Sequence, residues 1–243
     1  MSRLVTVLRT AAATALGLSL LSVAPQASAG LPAGPAVGDC HLLSFNQTYE
    51  PADTKPAVAC TSKHTTVTVA VVPMPEDIDW ESADVYKKMV VPCHRALDAT
   101  LGRTARARAL SAYSWVWFMP TPEERAAGAR WVRCDAILPA GKSLRPIPDT
   151  TPLLEKPQTN RVWRCLTAKP YYLTHCGSRH SYRATGLVLM GFDTYPRPRE
   201  ARSLALAKCP SRISSHYWRY SYPDRWEWRA GHRFLQCYSK THA

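Results

Sequence analysis

The eight cysteines of this chain fall into two sets of four, and the second set repeats the sequence pattern of the first. Cys60 and Cys176 begin two similar segments, Cys-Thr-Ser-Lys-His and Cys-Gly-Ser-Arg-His, which lie 116 positions apart (176 − 60). Cys93 and Cys209 keep the same offset. The last cysteine of each set follows a similar Gly-containing segment at an offset of 103. We therefore predict that one unit of domain size occurs twice.

The duplication and the N-terminal composition together divide the chain into four segments. We predict a signal peptide in residues 1–29, a first repeat in 30–138, a Pro-rich linker in 139–160 and a second repeat in 161–243. The N-terminal segment has two arginines, a short apolar run and an Ala-x-Ala site, which is the pattern of a secretory signal peptide. The proline density of the linker is typical of an extended spacer rather than a helix or a strand.

Export predicts that the cysteines form disulfides, because thiols oxidise outside the cytoplasm. Four cysteines can pair in three ways within one self-contained repeat. We favour sequential pairing, since it places the length differences between the repeats inside closed loops. The favoured pairs are Cys40–Cys60, Cys93–Cys134, Cys165–Cys176 and Cys209–Cys237.

The coarse order of elements predicts an α+β class, in which each repeat is a short antiparallel sheet with one helix stapled across it. Segments rich in β-branched residues after Cys60 and Cys176 are typical of strands. In the helix that follows in the first repeat, apolar residues recur every four positions along one face. Pro92 interrupts this helix, so we expect a kink or a break there. An aromatic strand, a turn containing Gly128 or Gly231, and a last strand complete each repeat.

These features resemble those of a known family. Gly38-Asp39-Cys40 near the start of the exported chain, a cysteine followed by a histidine and a strand, a helix with a cysteine, and a final Gly-x-Arg and cysteine are similar to the actinobacterial septum-formation family. The resemblance covers most of the first repeat and, in weaker form, the second, so we expect two tandem copies. It implies an extracytoplasmic protein connected with cell division and the envelope. The resemblance implies no catalytic residue in this chain.

Positive charge is the broadest functional signal in the sequence. The formal net charge is +13, and it becomes +11 once Arg3 and Arg9 leave with the signal peptide (13 − 2). Such an excess attracts polyanions through long-range forces that salt weakens. Outside a cell these are anionic wall polymers and lipid headgroups, so we expect wall association with peripheral contact to the membrane surface. Nucleic acid is not expected as a partner of an exported protein.

The predicted binding surface lies in the second repeat. It combines aromatic rings, which bury sugar faces, with guanidinium groups, which pair with phosphate or carboxylate. We expect the two tryptophans of the set to be exposed, since the first repeat has no aromatic residue at the matching positions, and their replacement by alanine to leave the fold intact. Trp115 and Trp218, which both repeats share, are instead expected in the core. The predicted binding residues are Arg219, Arg225, Trp226, Trp228 and Arg229.

The strongest metal-ligand pattern is a histidine four positions after a cysteine in each repeat, at His64 and His180. A thiolate and an imidazole at this spacing can bind zinc or copper. Disulfide formation removes the thiolates, so we predict no metal here and expect each histidine to form a hydrogen bond at the start of its strand. No cofactor is predicted.

The sequence lacks the His-Glu-x-x-His and Gly-x-Ser-x-Gly motifs of common hydrolases, and its carboxylates are scattered. We therefore expect a non-enzymatic protein that binds anionic wall material or an envelope protein. Two alternatives stay open: a protein–protein module of the division apparatus and, less favoured, a cell-wall hydrolase.

Overall fold

Two antiparallel sheets, one from each half of the chain, form the framework of the protein. A computed structural model describes residues 34–154, here called the first half, and residues 158–241, here called the second half. The predicted signal peptide in residues 1–29 lies outside the described residues. The combination of antiparallel sheets and separate helices confirms the predicted α+β class.

The first half contains one sheet and three helices. Its strands are β1 (Cys40–His41), β2 (Thr66–Pro73), β3 (Ser114–Phe118), β4 (Trp131–Pro139) and β5 (Leu144–Arg145). Its helices are α1 (Ala83–Leu101), α2 (Ala105–Ala109) and α3 (Pro122–Ala126). The strands follow the spatial order β1-β2-β4-β3, and β5 pairs with the end of β4. Helix α1 packs on one face of this sheet and forms the first hydrophobic core with it.

The second half has a similar set of elements. Its strands are β6 (Arg164–Leu166), β7 (Leu173–His175), β8 (Tyr182–Leu189), β9 (Trp218–Ser221) and β10 (Phe234–Lys240). Its helices are α4 (Pro198–Lys208) and α5 (Arg225–Ala230). The spatial order is β7-β6-β8-β10-β9. Helix α4 contributes Ala201 and Ala205 to a second core that also contains Leu235.

The two sheets match strand for strand. Without β5 and β7, the order β1-β2-β4-β3 corresponds to β6-β8-β10-β9. Cys134 pairs with Ala70 in the first sheet, and Cys237 pairs with Gly186 in the second. A β-bulge lies beside each of these pairs. The extra residue is Val69 in the first sheet and Thr185 in the second, and these two residues are 116 positions apart, the offset of the repeat. The two halves therefore share topology, register and irregularity.

All four disulfides form the sequential pairs favoured from the sequence. Cys93–Cys134 and Cys209–Cys237 connect the main helix of each half, or its end, to the central strand. Cys40–Cys60 and Cys165–Cys176 close shorter loops beside the edge of each sheet. None of the eight cysteines is free. Cys93–Cys134 and Cys209–Cys237 therefore fix each helix on its sheet.

Helix α1 is continuous where the sequence predicted a kink or a break. It runs through Pro92 without a break, although proline removes one helical hydrogen bond. Its predicted inward face is confirmed, because Val85, Met89, Cys93 and Leu97 are all buried. Helix α4 is shorter than its counterpart, since Pro210 follows Cys209 and starts a 3₁₀ turn.

The segment between the repeats is not a free spacer. The sequence predicted neither helix nor strand there, but Leu144–Arg145 forms the short strand β5. Further along, Ile147, Leu153 and Leu154 are buried in the first hydrophobic core. Apolar residues between the prolines therefore anchor this segment to the first half.

A buried cluster of charged and polar groups covers the face of the first sheet that points away from α1. The hydroxyls of Thr66 and Thr68 donate to the Asp135 carboxylate at 3.2 and 2.9 Å. Arg133 bridges Asp135 at 3.0 Å and Asp53 at 2.7 Å. Burial raises the pKa of Asp135, and the Arg133 charge opposes that rise. The cluster joins β2 and β4 to the loop that carries Asp53.

Asp53 is the carboxylate of this cluster that the fold holds ionised. Burial alone would raise its pKa, but the interactions with His41 and Arg133 outweigh burial and lower the pKa to about 2. The ordinary value is 3.8. Because the pKa in the folded state is the lower one, Asp53 stabilises the fold above about pH 4, and this contribution is lost as the pH falls toward 2.

Replacing Asp53 with Asn should therefore lower the free energy of unfolding at pH 7 by about 2–4 kcal/mol, because Arg133 is left buried without one of its carboxylates. Urea unfolding of wild type and variant between pH 7 and pH 2 tests this, and the two curves should converge in acid. The control Asp84→Asn removes an exposed ion pair with Lys87. A similar pH dependence in that control would contradict the assignment to the buried cluster.

Candidate functional site

The two halves are joined by backbone hydrogen bonds as well as side-chain packing. The amide of Ala112 donates to the carbonyl of Val162 at 2.8 Å, and the amide of Arg164 donates to the carbonyl of Leu110 at 2.7 Å. The Arg164 guanidinium also donates to the carbonyl of Ser111. These contacts connect the end of α2 and the start of β3 to β6, so the halves form a continuous structure with a cleft between them.

This interhalf cleft has a volume of about 440 Å³. Its walls come from α1, α2 and β3 of the first half and from β6, β9, α5 and β10 of the second. Its chemistry is mixed, with apolar, aromatic, cationic and acidic side chains. Its polar and charged lining residues include His94, Asp98, Arg108, Glu227, His232 and Arg233.

Three side chains that can bind a metal meet in the cleft. His94 lies on α1, Glu227 on α5, and His232 in the turn that follows α5. Each offers one ligand atom, and the three atoms lie within 4.8 Å of one another. The cluster, here called the His–Glu–His cluster, draws one ligand from the first half and two from the second.

Hydrogen bonds orient the cluster. His232 Nε2 lies 3.1 Å from Asp98 Oδ2, and the other oxygen of Asp98 lies 3.1 Å from Arg108 Nε. One oxygen of Glu227, Oε2, accepts the backbone N–H of Asp224 at 2.7 Å in a capping box at the start of α5. The His232 Nδ1 atom and the Glu227 Oε1 atom are left for other partners.

His94 has little exposure and one ring neighbour on each side. Trp115 Nε1 donates to His94 Nδ1 over a long 3.3 Å, and the ring of His232 makes an edge contact with His94 at 5.2 Å between centroids. Burial is the largest cause of a lowered pKa at His94, and the nearby His232 lowers it further while Glu227 opposes the shift. His94 is therefore neutral at neutral pH, the form in which imidazole binds metals.

The pKa of Asp98 is also lowered. Burial alone would raise it, but the hydrogen bond and charge of His232, together with the Arg108 charge, outweigh burial. Asp98 is thus an ionised carboxylate behind a histidine, an arrangement that fixes the tautomer and ring orientation of that histidine.

Two of the arginines predicted from the sequence are exposed on α5. Arg225 and Arg229 are one helical turn apart, so they share a face of the helix. The Arg225 guanidinium lies over the ring of Tyr195 at 5.3 Å, and the Arg229 guanidinium lies over the ring of Trp226 at 4.7 Å. The outer face of α5 therefore presents two cations supported by aromatic rings.

The two tryptophans of the predicted surface pack against the hydrophobic cores instead. Trp228 is 6% exposed and belongs to the second core, so the expectation of an exposed ring is wrong. Trp226 is half-buried and packs against the first core, with an edge contact to Tyr86 at 6.0 Å. Trp226 thus holds α5 on the first half, and replacing both rings would damage the fold.

Arg219 lies apart from this helix, on β9. It is half-buried, its guanidinium lies 3.5 Å from the centre of the Tyr171 ring, and it donates to the Tyr171 hydroxyl. The five predicted binding residues consequently do not form one exposed surface. Trp115 and Trp218 were expected in the core, and both are half-buried beside the core of their own half.

The two repeated histidines make the same contact in both halves. His64 Nδ1 lies 2.8 Å from the carbonyl oxygen of Ser62, and His180 Nδ1 lies 2.8 Å from that of Ser178. Each bond precedes a strand, as expected from the sequence. Cys176, close to His180, is held in a disulfide, so it offers no thiolate to a metal.

Two residues that sequence reasoning missed, His94 and His232, have no histidine at the matching position of the other half. The repeat position of His94 is occupied by Pro210 in the second half (94 + 116), and the position of His232 is occupied by Ala129 in the first (232 − 103). A search for histidines without a counterpart could have found them. Their proximity could not have been found, because it depends on how the halves pack.

Three comparisons with known proteins bear on the function. The family model described as septum formation matches residues 37–237, which span both halves in a single match. Neither the curated proteins nor the solved structures gave a significant match. Among the described residues, no helix is long and apolar enough to cross a membrane.

The buried position of Trp228 leads to a stability prediction. Trp228→Ala should lower the free energy of unfolding by about 3–5 kcal/mol, because it empties a large core site. The control Tyr217→Ala removes a ring that is 69% exposed and should change stability by about 0.5 kcal/mol or less. Denaturant unfolding measures both, and equal effects would show that Trp228 does not belong to the core.

Proposed function

Since the chain belongs to the septum-formation family, we propose that it is an extracytoplasmic binding protein that attaches to anionic cell-wall material during septum formation. The observation that carries this proposal is the pair of exposed guanidinium groups on α5, Arg225 and Arg229, each placed over an aromatic ring. Phosphate and carboxylate groups of wall polymers are natural partners for such a pair.

The position of the pair favours a binding role over a purely structural one. Both side chains are exposed, and no ion pair in the described residues involves either of them. Stacking on Tyr195 and Trp226 restricts their motion, which reduces the entropy lost when a ligand is bound. The overall positive charge of +13 would attract the same class of ligand over longer distances.

An extracytoplasmic location agrees with the chemistry of the cysteines. All eight are paired in disulfides, which persist in oxidising compartments. Wall material outside the membrane would then be within reach of the protein.

A binding role rather than hydrolysis is proposed because the described residues of the cleft include no pair of free carboxylates. Asp98 contacts His232 and Arg108, and one oxygen of Glu227 is used to cap α5. Release of soluble products from purified walls by the wild-type protein would contradict this part of the proposal.

Binding to purified cell walls tests the assigned surface. The double variant Arg225→Ala/Arg229→Ala should bind walls about tenfold more weakly at low salt, because two charge-assisted contacts are lost. The matched control is Arg199→Ala/Arg202→Ala, which removes two exposed arginines from α4 and the same net charge. Cosedimentation over a salt series measures both.

The control decides between a site and a general charge effect. Equal weakening in both double variants would mean that net charge alone directs binding. Unchanged binding in the α5 variant would remove the assignment to Arg225 and Arg229. Binding to a protein component of the envelope that resists high salt would favour a protein–protein module.

Localisation in growing cells tests the connection with the septum. We expect a tagged, exported protein to be enriched at division septa, with the α5 double variant reduced there relative to the α4 control. Fluorescence imaging after low-salt and high-salt washes gives the result. If the protein is spread evenly over the wall and a high-salt wash releases it, the proposed role in septum formation is contradicted.

A further inference from the structure

We propose that the His–Glu–His cluster in the interhalf cleft is a zinc site formed by His94, Glu227 and His232. It is independent of the arginine pair on the outer face of α5. No metal binding was predicted from the sequence, and the residues come from three separate elements.

The ligand types suit zinc. Two imidazoles and one carboxylate form a set that Zn²⁺ accepts readily, leaving a fourth position for water or a ligand oxygen. Mg²⁺ and Ca²⁺ prefer sites made wholly of oxygen ligands, so the two imidazoles disfavour them. The cleft of about 440 Å³ gives the fourth position access to small molecules.

Only small side-chain movements are needed to bring the three ligand atoms to the distances of a zinc site. The three ligand atoms lie within 4.8 Å of one another. Around a tetrahedral zinc ion, neighbouring ligand atoms are roughly 3.3 Å apart, given metal–ligand bonds of about 2.0–2.1 Å. Side-chain rotation about χ angles can supply a difference of this size without moving the backbone.

The hydrogen bonds around the cluster leave ligand atoms available. His232 uses Nε2 toward Asp98, so Nδ1 is the nitrogen for the metal. Glu227 uses Oε2 to cap α5, so Oε1 remains. The bond from Trp115 to His94 is long, at 3.3 Å, and metal coordination can replace it at small cost.

Asp98 would act as a positioning residue behind His232. A carboxylate that accepts the second N–H of a metal-binding histidine orients the ring and raises its basicity. Arg108 Nε lies 3.1 Å from the other carboxylate oxygen of Asp98, Oδ1. The carboxylate is therefore fixed before any metal arrives.

A metal at this position would connect the two halves. His94 belongs to α1, while Glu227 and His232 belong to the second half. Zinc would add coordination bonds to an interface that already has Trp226 packed on the first core. The metal-bound protein should accordingly be more resistant to unfolding than the metal-free protein.

Zinc titration of the exported, disulfide-intact protein tests the proposal. Isothermal titration calorimetry should give one saturable zinc per chain with micromolar or tighter affinity. Each of His94→Gln, Glu227→Gln and His232→Gln should weaken binding at least about tenfold. Glutamine at position 227 keeps an oxygen that can accept the Asp224 amide, so that variant should retain the α5 cap.

The matched control is His216→Gln, which removes an exposed histidine outside the cluster. It should bind zinc as the wild type does. Asp98→Asn should weaken binding about 10–100-fold, and Asp98→Glu should restore part of the loss, which a merely structural role would not produce. X-ray absorption of the zinc complex should show nitrogen and oxygen ligands and no sulfur.

Thermal unfolding gives a second readout. A hundredfold excess of zinc over its dissociation constant should raise the Tm of the wild type by about 5–10 °C. The His94→Gln variant should show no such shift. The proposal is overturned by an absence of saturable binding, by cluster variants that bind like the wild type, or by an equal loss in His216→Gln.

Discussion

The disulfide between the main helix and the central strand is the constraint on which the rest of the structure depends. Cys93 lies on α1 and Cys134 lies on β4, beside the β-bulge of the first sheet. A crosslink at this point stabilises a modest core by restricting the unfolded chain. It also fixes the rotation of α1, because Val85, Met89 and Leu97 share the face that carries Cys93.

The fixed rotation of α1 decides what the opposite half can contact. His94 and Asp98 are one turn apart on α1, so they point in similar directions, toward the cleft. The second half places α5 and the following turn against them, with Trp226 packed on the first core as an anchor. Two halves of matching strand order therefore present different side chains at the interface.

The two halves bury different polar groups on their sheets. At the repeat positions of Arg133 and Asp135, the second half has Gln236 and Tyr238. The Tyr238 hydroxyl accepts a hydrogen bond from Arg164, so an aromatic network replaces the ionic one. The two sheets therefore keep one register with different buried polar networks. The free residues at the interface could then acquire binding chemistry without disturbing either core.

The sequence by itself determined the α+β class, the inward face of α1 and the hydrogen bonds of His64 and His180, and it favoured the sequential disulfide pairs that the structure shows. These features depend on local spacing and on cysteines that must lie close in a small oxidised unit, and such information is carried by the order of residues. The tertiary structure alone decided that Trp228 is buried, that Trp226 joins the halves, and that His94, Glu227 and His232 meet. Those results depend on how two separately patterned units pack together. His94 lies 133 positions before Glu227 and 138 before His232, so no periodic pattern along the chain indicates their meeting.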